Sequence, residues 1–221
     1  LGFVSHELKG ILGSAIMCVH SVRDGFLGMM NFKQRKALDS AVRNLERLES
    51  TVKNYLDLSR IEKGELNIRK TEVNLNEDII RESLDNFSKQ ISEKETLLDN
   101  KIPADSKVFA DKNLMVTVYN NLISNAMKYG RGGGRIILNY EDRGEYIRLS
   151  VYNDGMPIPE IETNNLFRKF SRLTTEQLRS VGGAGLGLFI TKEIIEKHGG
   201  RIWLEPKEKG NEFIFEIKKG A

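Results

Sequence analysis

Two long apolar stripes at helical spacing occupy the first 63 positions of this 221-residue chain. A helix advances about 100° per residue, so residues three and four apart share one face. The second stripe runs from Leu38 to Ser59, and Gly25 and Gly28 lie in the interruption between the stripes. The first stripe consists of Val4, Leu8, Ile11, Ala15, Val19 and Val22. The pattern predicts two long helices folded into an antiparallel hairpin.

A two-helix hairpin has too little apolar surface to offset the entropy lost when it becomes ordered. Pairing with a second copy gives a four-helix bundle in which the stripes of both chains are covered. We therefore predict a homodimer formed through residues 1–64.

The periodicity changes at Glu65, after the Lys63-Gly64 turn. Alternating, strand-like stretches are Leu66–Lys70, Ile136–Tyr140, Tyr146–Tyr152, Arg201–Leu204 and Glu212–Ile217. Helical patterns between them are Asn76–Lys94, Asp111–Tyr129 and Leu186–His198. This mixture predicts an α/β sandwich, a mixed sheet with helices on one face, over residues 65–221. The fold class is thus α+β, with a helical domain (1–64) before the sandwich domain (65–221).

Charge and apolar content narrow the classes of function. Lys and Arg number 34 against 31 Asp and Glu, and a net charge of +3 is too weak to indicate a nucleic-acid partner. No apolar run reaches the roughly 18–20 residues of a membrane span, and none is typical of a signal peptide. Cys18 is the only cysteine, so no internal disulfide forms. These features indicate a cytoplasmic domain. The abrupt helical start suggests a truncated N-terminus, with a sensor domain and any membrane anchor upstream.

His6 lies about 200° around the first helix from Val4, so we expect it on the exposed face. Glu7 follows it, and a carboxylate there can take the Nδ1 proton and leave Nε2 to attack phosphorus. The segment Phe3–Lys9 resembles the phosphoacceptor box of sensor histidine kinases. The resemblance implies that His6 accepts phosphate from ATP, with Glu7 as general base. It also implies transfer of that phosphate to an Asp on the receiver domain of a response regulator.

The box departs from the family pattern four residues after the histidine. The family usually has Thr or Asn there, whereas this chain has Gly10, and Ile11 replaces the usual Pro. In the family, that side chain is thought to orient the water that dephosphorylates the regulator. We therefore expect weak phosphatase activity.

A second block, Asn121–Tyr129, resembles the N box of the same family. Asn121 and Asn125 are four apart and share a helix face. A neutral amide oxygen suits Mg²⁺, which retains several waters while it contacts substrate phosphates. The resemblance implies that Asn125 binds Mg²⁺, that Lys128 contacts a phosphate, and that Asn121 and Tyr129 contact the nucleotide.

A third block, Val151–Pro159, resembles the G1 box, in which an Asp reads the adenine base. Aligned on Gly155, that Asp becomes Asn153 and the second glycine of the box becomes Pro157. The oxygen of an Asn side chain can still accept from the adenine amino group, without the charge of a carboxylate. Asp154 is the alternative reader, and the register favours Asn153.

A fourth block, Leu166–Leu173, resembles the F box, and either Lys169 or Arg172 can reach the γ-phosphate from it. The polar segment between Pro159 and Gly182 is long enough to be a lid over the nucleotide. Glycines before a helix then let backbone N–H groups approach phosphates. The predicted contacts in that glycine-rich block are Gly183, Gly185, Leu186 and Gly187.

Five blocks in the family's order predict an ATP- and Mg²⁺-dependent histidine kinase with a gyrase-type ATP-binding domain. One alternative is another ATPase of that fold, such as a gyrase or mismatch-repair ATPase, which would leave no phosphate on His6. The other is a non-catalytic dimerisation or scaffold protein, suggested by Gly10, Asn153 and Pro157.

Overall fold

The computed structural model describes residues 2–172 and 184–219, and of residues 2–6 and 9 it describes the backbone alone. The chain divides into two compact units, Leu1–Leu66 and Asn67–Ala221. The first is a hairpin of α1 (Gly2–Arg23) and α2 (Phe32–Glu62). Asn31 starts α2 with a capping box, in which its side chain accepts from the Gln34 backbone N–H while the Gln34 side chain accepts from the Asn31 N–H, each at 2.9 Å. The predicted helical hairpin is confirmed.

The second unit contains two sheets. Strands β1 and β3 form a short antiparallel pair, and the main sheet has the order β2-β4-β5-β7-β6. The β2–β4 pair is parallel and the other pairs are antiparallel, so the main sheet is mixed as predicted. The strands are β1 (Thr71–Asn74), β2 (Leu97–Asn100), β3 (Lys107–Ala110), β4 (Arg135–Asp142), β5 (Tyr146–Asn153), β6 (Arg201–Lys207) and β7 (Gly210–Lys218). The helices are α3 (Arg81–Glu93), entered through a π-helical turn at Leu75–Ile80, α4 (Lys112–Tyr129), α5 (Glu160–Thr163) and α6 (Gly187–Lys197).

Helix α4 packs its apolar face on the sheet. Its buried positions recur every three or four residues, and Tyr119 meets Phe215 of β7 edge to face, with ring centroids 5.8 Å apart. On the other face of the sheet, Arg148 and Arg201 donate to the carboxylate of Glu216. One face is therefore apolar and covered by helix, and the other is a network of charged side chains. The predicted fold class is confirmed.

The sequence interpretation was wrong in one segment and incomplete in others. Leu66–Lys70 belongs to no strand, and the Arg69 N–H donates to the Asp111 side chain. Strands β1, β2 and β3 were not predicted, because four residues are too few to display a period of two. The helix predicted over Asn76–Lys94 begins with the π-helical turn.

Among the described residues, no helix has both the length and the apolar character needed to cross a bilayer.

Candidate nucleotide and phosphoacceptor site

Helix α4 is positioned by its cap and by its buried face. The Asp111 side chain accepts from the Leu114 N–H at 3.1 Å and starts the helix. With Leu122, Ile123 and Ala126 buried, Asn121 and Asn125 lie half-buried at the margin of the packed face. Lys128 is exposed in the last turn. The two asparagines therefore share a face that is reachable from solvent.

Asn121 connects α4 to the glycine-rich start of α6. Its amide donates to the Gly187 carbonyl at 3.1 Å and to the Thr191 hydroxyl at 3.2 Å. A side-chain carbon at Gly187 would come within 3.4 Å of the Asn121 amide oxygen. This asparagine holds the two helices in register, and its predicted contact with the nucleotide stays a prediction.

The loop after β5 packs directly against the end of α4. Gly155 is buried, and a side chain there would overlap the carbonyl oxygen of Tyr129. Only glycine fits this contact, which brings the G1 and N boxes together. Burial raises the pKa of the Tyr129 phenol, and the nearby positive charge of Arg172 partly opposes that shift. Arg172, at the end of the F box, is therefore close to Tyr129.

The side chains of Asn153 and Asp154 lie in different surroundings. Asn153 is only 2% exposed, and its amide nitrogen has no hydrogen-bond partner in the described part of the chain. The Asp154 carboxylate lies against Gly134, where a side-chain carbon would overlap its Oδ1. A side chain at Gly155 would also come within 2.7 Å of the Asn153 amide nitrogen. Asn153 is therefore the one beside the Tyr129–Gly155 contact.

Asn211 of β7 holds this loop, and the sequence interpretation missed it. Its side-chain oxygen accepts from the Ile158 N–H, and its amide donates to the Met156 carbonyl, both at 2.8 Å. It therefore binds both residues that flank Pro157. The signal was present in the sequence, since Asn211 is a polar residue in the register of the core residues Phe213 and Phe215.

The glycine-rich block meets the F box. Gly185 has a φ of +70°, and a side chain there would come within 2.6 Å of the Ser171 carbonyl oxygen. Leu186 is buried, and α6 starts at Gly187 with no side-chain cap. The Lys169 ammonium lies 5.2 Å from the centre of the Phe189 ring, in the first turn of α6. Gly183 and the part of the predicted lid from residue 173 onward lie outside the described residues.

The predicted phosphoacceptor residues lie on α1, in the other unit. The backbone of His6 is helical, and its side chain is outside the description. Glu7 and Gly10 are exposed. A side-chain carbon at Gly10 would meet no described atom within 4 Å, so no described part of the chain requires glycine there.

Contacts join the N, G1, F and glycine-rich blocks into one region of the second unit. Among the described residues, the Asn153 amide nitrogen has no partner and no side chain caps the start of α6, and these features suit a purine base and a phosphate chain. The amide oxygen of Asn125 is a suitable ligand for Mg²⁺.

Comparison with known proteins decides the family. Residues 110–221 match the model of the histidine kinase-, DNA gyrase B- and HSP90-like ATPases, and residues 1–64 match that of the His Kinase A (phospho-acceptor) domain. The chain belongs to the sensor histidine kinase family. Within this kinase family, the catalytic domain of histidine kinase ThkA is 39% identical, with a TM-score of 0.61, over 69% of this chain and 97% of that one.

Two further comparisons extend over nearly the whole chain. Sensor protein kinase WalK of Staphylococcus haemolyticus is 31% identical over 96% of this chain. Histidine kinase ThkA in complex with response regulator protein TrrA is 30% identical, with a TM-score of 0.64, over 96% of this chain and 61% of that one. The chain spans about a third of the length of the WalK relative, 35%.

Proposed function

We propose that this chain is the catalytic core of a sensor histidine kinase that phosphorylates its own His6 from ATP and Mg²⁺. The phosphoryl group then passes to an Asp of a response-regulator receiver domain. The observation that carries the proposal is the convergence of four segments, distant in the sequence, around the end of α4. Family membership supports it, because one family model matches residues 1–64 and the other matches residues 110–221.

In the proposed site, each block has one task. Asn153 and Gly155 hold the base beside Tyr129, and Lys128 with Arg172 neutralises phosphate charge. Backbone N–H groups of Gly183, Gly185, Leu186 and Gly187 complete the phosphate contacts. Asn125 holds Mg²⁺, which supplies charge neutralisation on the phosphate oxygens. Asn121 keeps Gly187 in place, and Asp154 supports the neighbouring turn.

His6 supplies the nucleophile. Its Nε2 forms a bond to the γ-phosphorus while the bond from phosphorus to the β,γ-bridging oxygen breaks, which releases ADP. Glu7 accepts the Nδ1 proton, so the phosphorylated ring remains neutral. In the second step, a receiver-domain carboxylate oxygen forms a bond to the same phosphorus while the bond from phosphorus to Nε2 breaks. Glu7 returns the proton to Nδ1, so His6 leaves as a neutral imidazole. Positioning and charge neutralisation account for most of the rate in such transfers.

The proposed kinase function implies protein partners. A second copy would cover the apolar side chains that the hairpin leaves exposed, and a response regulator would dock near His6. ThkA in complex with TrrA is a precedent for the regulator in a related kinase. A sensor domain upstream of Leu1 would supply the signal, and phosphotransfer would take place in the cytoplasm whether or not the full protein is anchored to a membrane.

Phosphatase activity is expected to be weak because Gly10 has no side chain to orient a water molecule. Space is open at this position, so Gly10→Thr is expected to fold normally. The variant should dephosphorylate a purified, phosphorylated regulator faster than the natural chain does. Equal and rapid phosphate loss with both proteins would contradict this role for Gly10.

The central experiment is incubation with γ-labelled ATP and Mg²⁺, followed by detection of acid-labile phosphate. Natural chain, His20→Ala and Asn113→Ala should incorporate label, whereas His6→Ala and Asn125→Ala should not. His20 shares α1 with His6, and Asn113 shares α4 with Asn125, so each control tests position rather than residue type. Labelling of His6→Ala would refute the assignment.

The two alternative functions predict different results in the same assay. A non-catalytic relative would leave His6 unlabelled in the natural chain even when ATP binds. An ATPase of the gyrase type would release phosphate into solution without labelling the protein.

A further inference from the structure

The side chain of Asn153, at the end of β5, places a hydrogen-bond donor in the protein interior. The residue is 98% buried, counting from its exposed fraction of 2%, and its amide nitrogen has no partner among the described residues. A buried donor without an acceptor costs about 1–3 kcal/mol relative to a paired one. A ligand can satisfy such a group, and this one lies beside the proposed base site.

Neighbouring side chains do not satisfy this amide. Asn211, its cross-strand partner, uses both ends of its own amide on Met156 and Ile158. The Asp154 carboxylate is packed against Gly134 instead. Gly155 and Asn211 fix the loop and so set the place of the Asn153 amide group, which can still rotate by 180° about its terminal bond.

Replacement of a carboxylate by an amide changes which purines fit. A carboxylate only accepts hydrogen bonds, so it pairs with the 6-amino group of adenine and repels the 6-oxygen of guanine or hypoxanthine. An amide carries one acceptor and one donor. It can accept from the adenine 6-amino group and donate to N1; after a 180° turn, it can donate to a 6-oxygen and accept from N1–H.

We propose that this nucleotide site accepts 6-oxopurine nucleoside triphosphates as well as ATP, through Asn153. The proposal rests on the function proposed above, and it concerns which base the same site takes. Inosine triphosphate is the sharpest probe, because it differs from ATP at the 6-position and N1 and lacks the 2-amino group of guanine.

The test is calorimetric titration of the natural chain and of Asn153→Asp with ATP and with inosine triphosphate, both with Mg²⁺. The natural chain should bind the two nucleotides with dissociation constants within about tenfold of each other. Asn153→Asp should bind inosine triphosphate at least about tenfold more weakly relative to ATP than the natural chain does. Asn113→Asp, an exposed position on α4, should leave the ratio unchanged.

The ratio of the two dissociation constants in the natural chain tests the proposal even if Asn153→Asp does not fold. A natural chain that binds ATP and rejects inosine triphosphate by much more than tenfold overturns it, and so does a chain that binds neither. Binding of both nucleotides without label on His6 would instead refute the kinase function and leave the base preference established.

Discussion

His198 shows how a single residue can be tied to one protonation state. It is 2% exposed; its Nδ1 lies 2.7 Å from the Ile194 carbonyl oxygen and its Nε2 accepts from the Asp111 N–H at 3.0 Å. The neutral ring with a proton on Nδ1 satisfies both contacts. A second proton would place a donor against the Asp111 N–H. The same junction includes Lys70, whose ammonium donates to the His198 carbonyl at 2.9 Å.

This geometry predicts a pH-dependent stability. Burial lowers the pKa of His198 below 6.5, the Lys70 charge adds to that shift, and the hydrogen bond to Ile194 and the charge of Asp111 oppose it. The unfolded chain therefore binds the proton more readily than the folded one. The stabilisation is complete above about pH 6.5 and is lost as the pH falls towards the folded pKa.

Urea unfolding of the natural chain and of His198→Gln, at pH values from 8 to 5, checks this expectation. The difference in unfolding free energy should shrink below pH 6.5, by at most about 1.4 kcal/mol per pH unit. The glutamine side chain of the variant is uncharged at every pH. All other titrating groups are common to both proteins, so their contributions cancel in the comparison. Parallel curves for the two proteins would contradict the expectation.

At the scale of elements, strands β5 and β7 together form the proposed base site. The register pairs Asn153 with Asn211, so the proposed contact to the base and the residue that holds the loop lie side by side. Pro157 gives the loop a fixed φ and removes an N–H, and Asn211 supplies contacts on both sides of it. The loop is thus held by a side chain from the neighbouring strand.

We expect Asn211→Ala to lower the unfolding free energy by about 1–3 kcal/mol, because it leaves a buried N–H and a carbonyl unpaired. Nucleotide affinity should fall with it, since the loop carries Gly155. Asn139→Ala is the matched control: Asn139 donates to Ser150 and Glu212 on the opposite sheet face. Unfolding curves and nucleotide titrations of both variants check this, and an unchanged affinity in Asn211→Ala would exclude the positioning role.

For the whole molecule, the two units differ in how completely each covers its own apolar surface. The second unit has a continuous buried core, whereas large apolar side chains on the hairpin remain exposed. Ile11, in the predicted stripe, is 62% exposed, and Leu12 is buried instead. Exposed residues of this kind on the hairpin are Leu8, Ile11, Met17, Phe26, Leu27, Met29, Phe32, Leu48 and Tyr55. Within one chain, only part of each helix face is covered by the other helix.

The chain is therefore expected to dimerise through the hairpin. Light scattering should give about 50 kDa, twice the 25.1 kDa of one chain. Ile11→Asp should shift the mass towards the monomer, because a charge in the interface loses its hydration. Ile161→Asp, on the 85% exposed side chain in the second unit, should leave the mass unchanged. A natural chain that remains monomeric at high concentration would refute the homodimer.

The sequence by itself determined the hairpin, the long strands β4 to β7, the family and the order of the nucleotide blocks. These depend on local signals, since periodicity and motif spacing are set by residues close in the chain. Tertiary structure decided the rest: that Asn121 joins α4 to α6, that Asp154 faces away from Asn153, and that Asn211 holds the loop. Those contacts join residues more than fifty positions apart or depend on the direction of one side chain, and no local pattern encodes either.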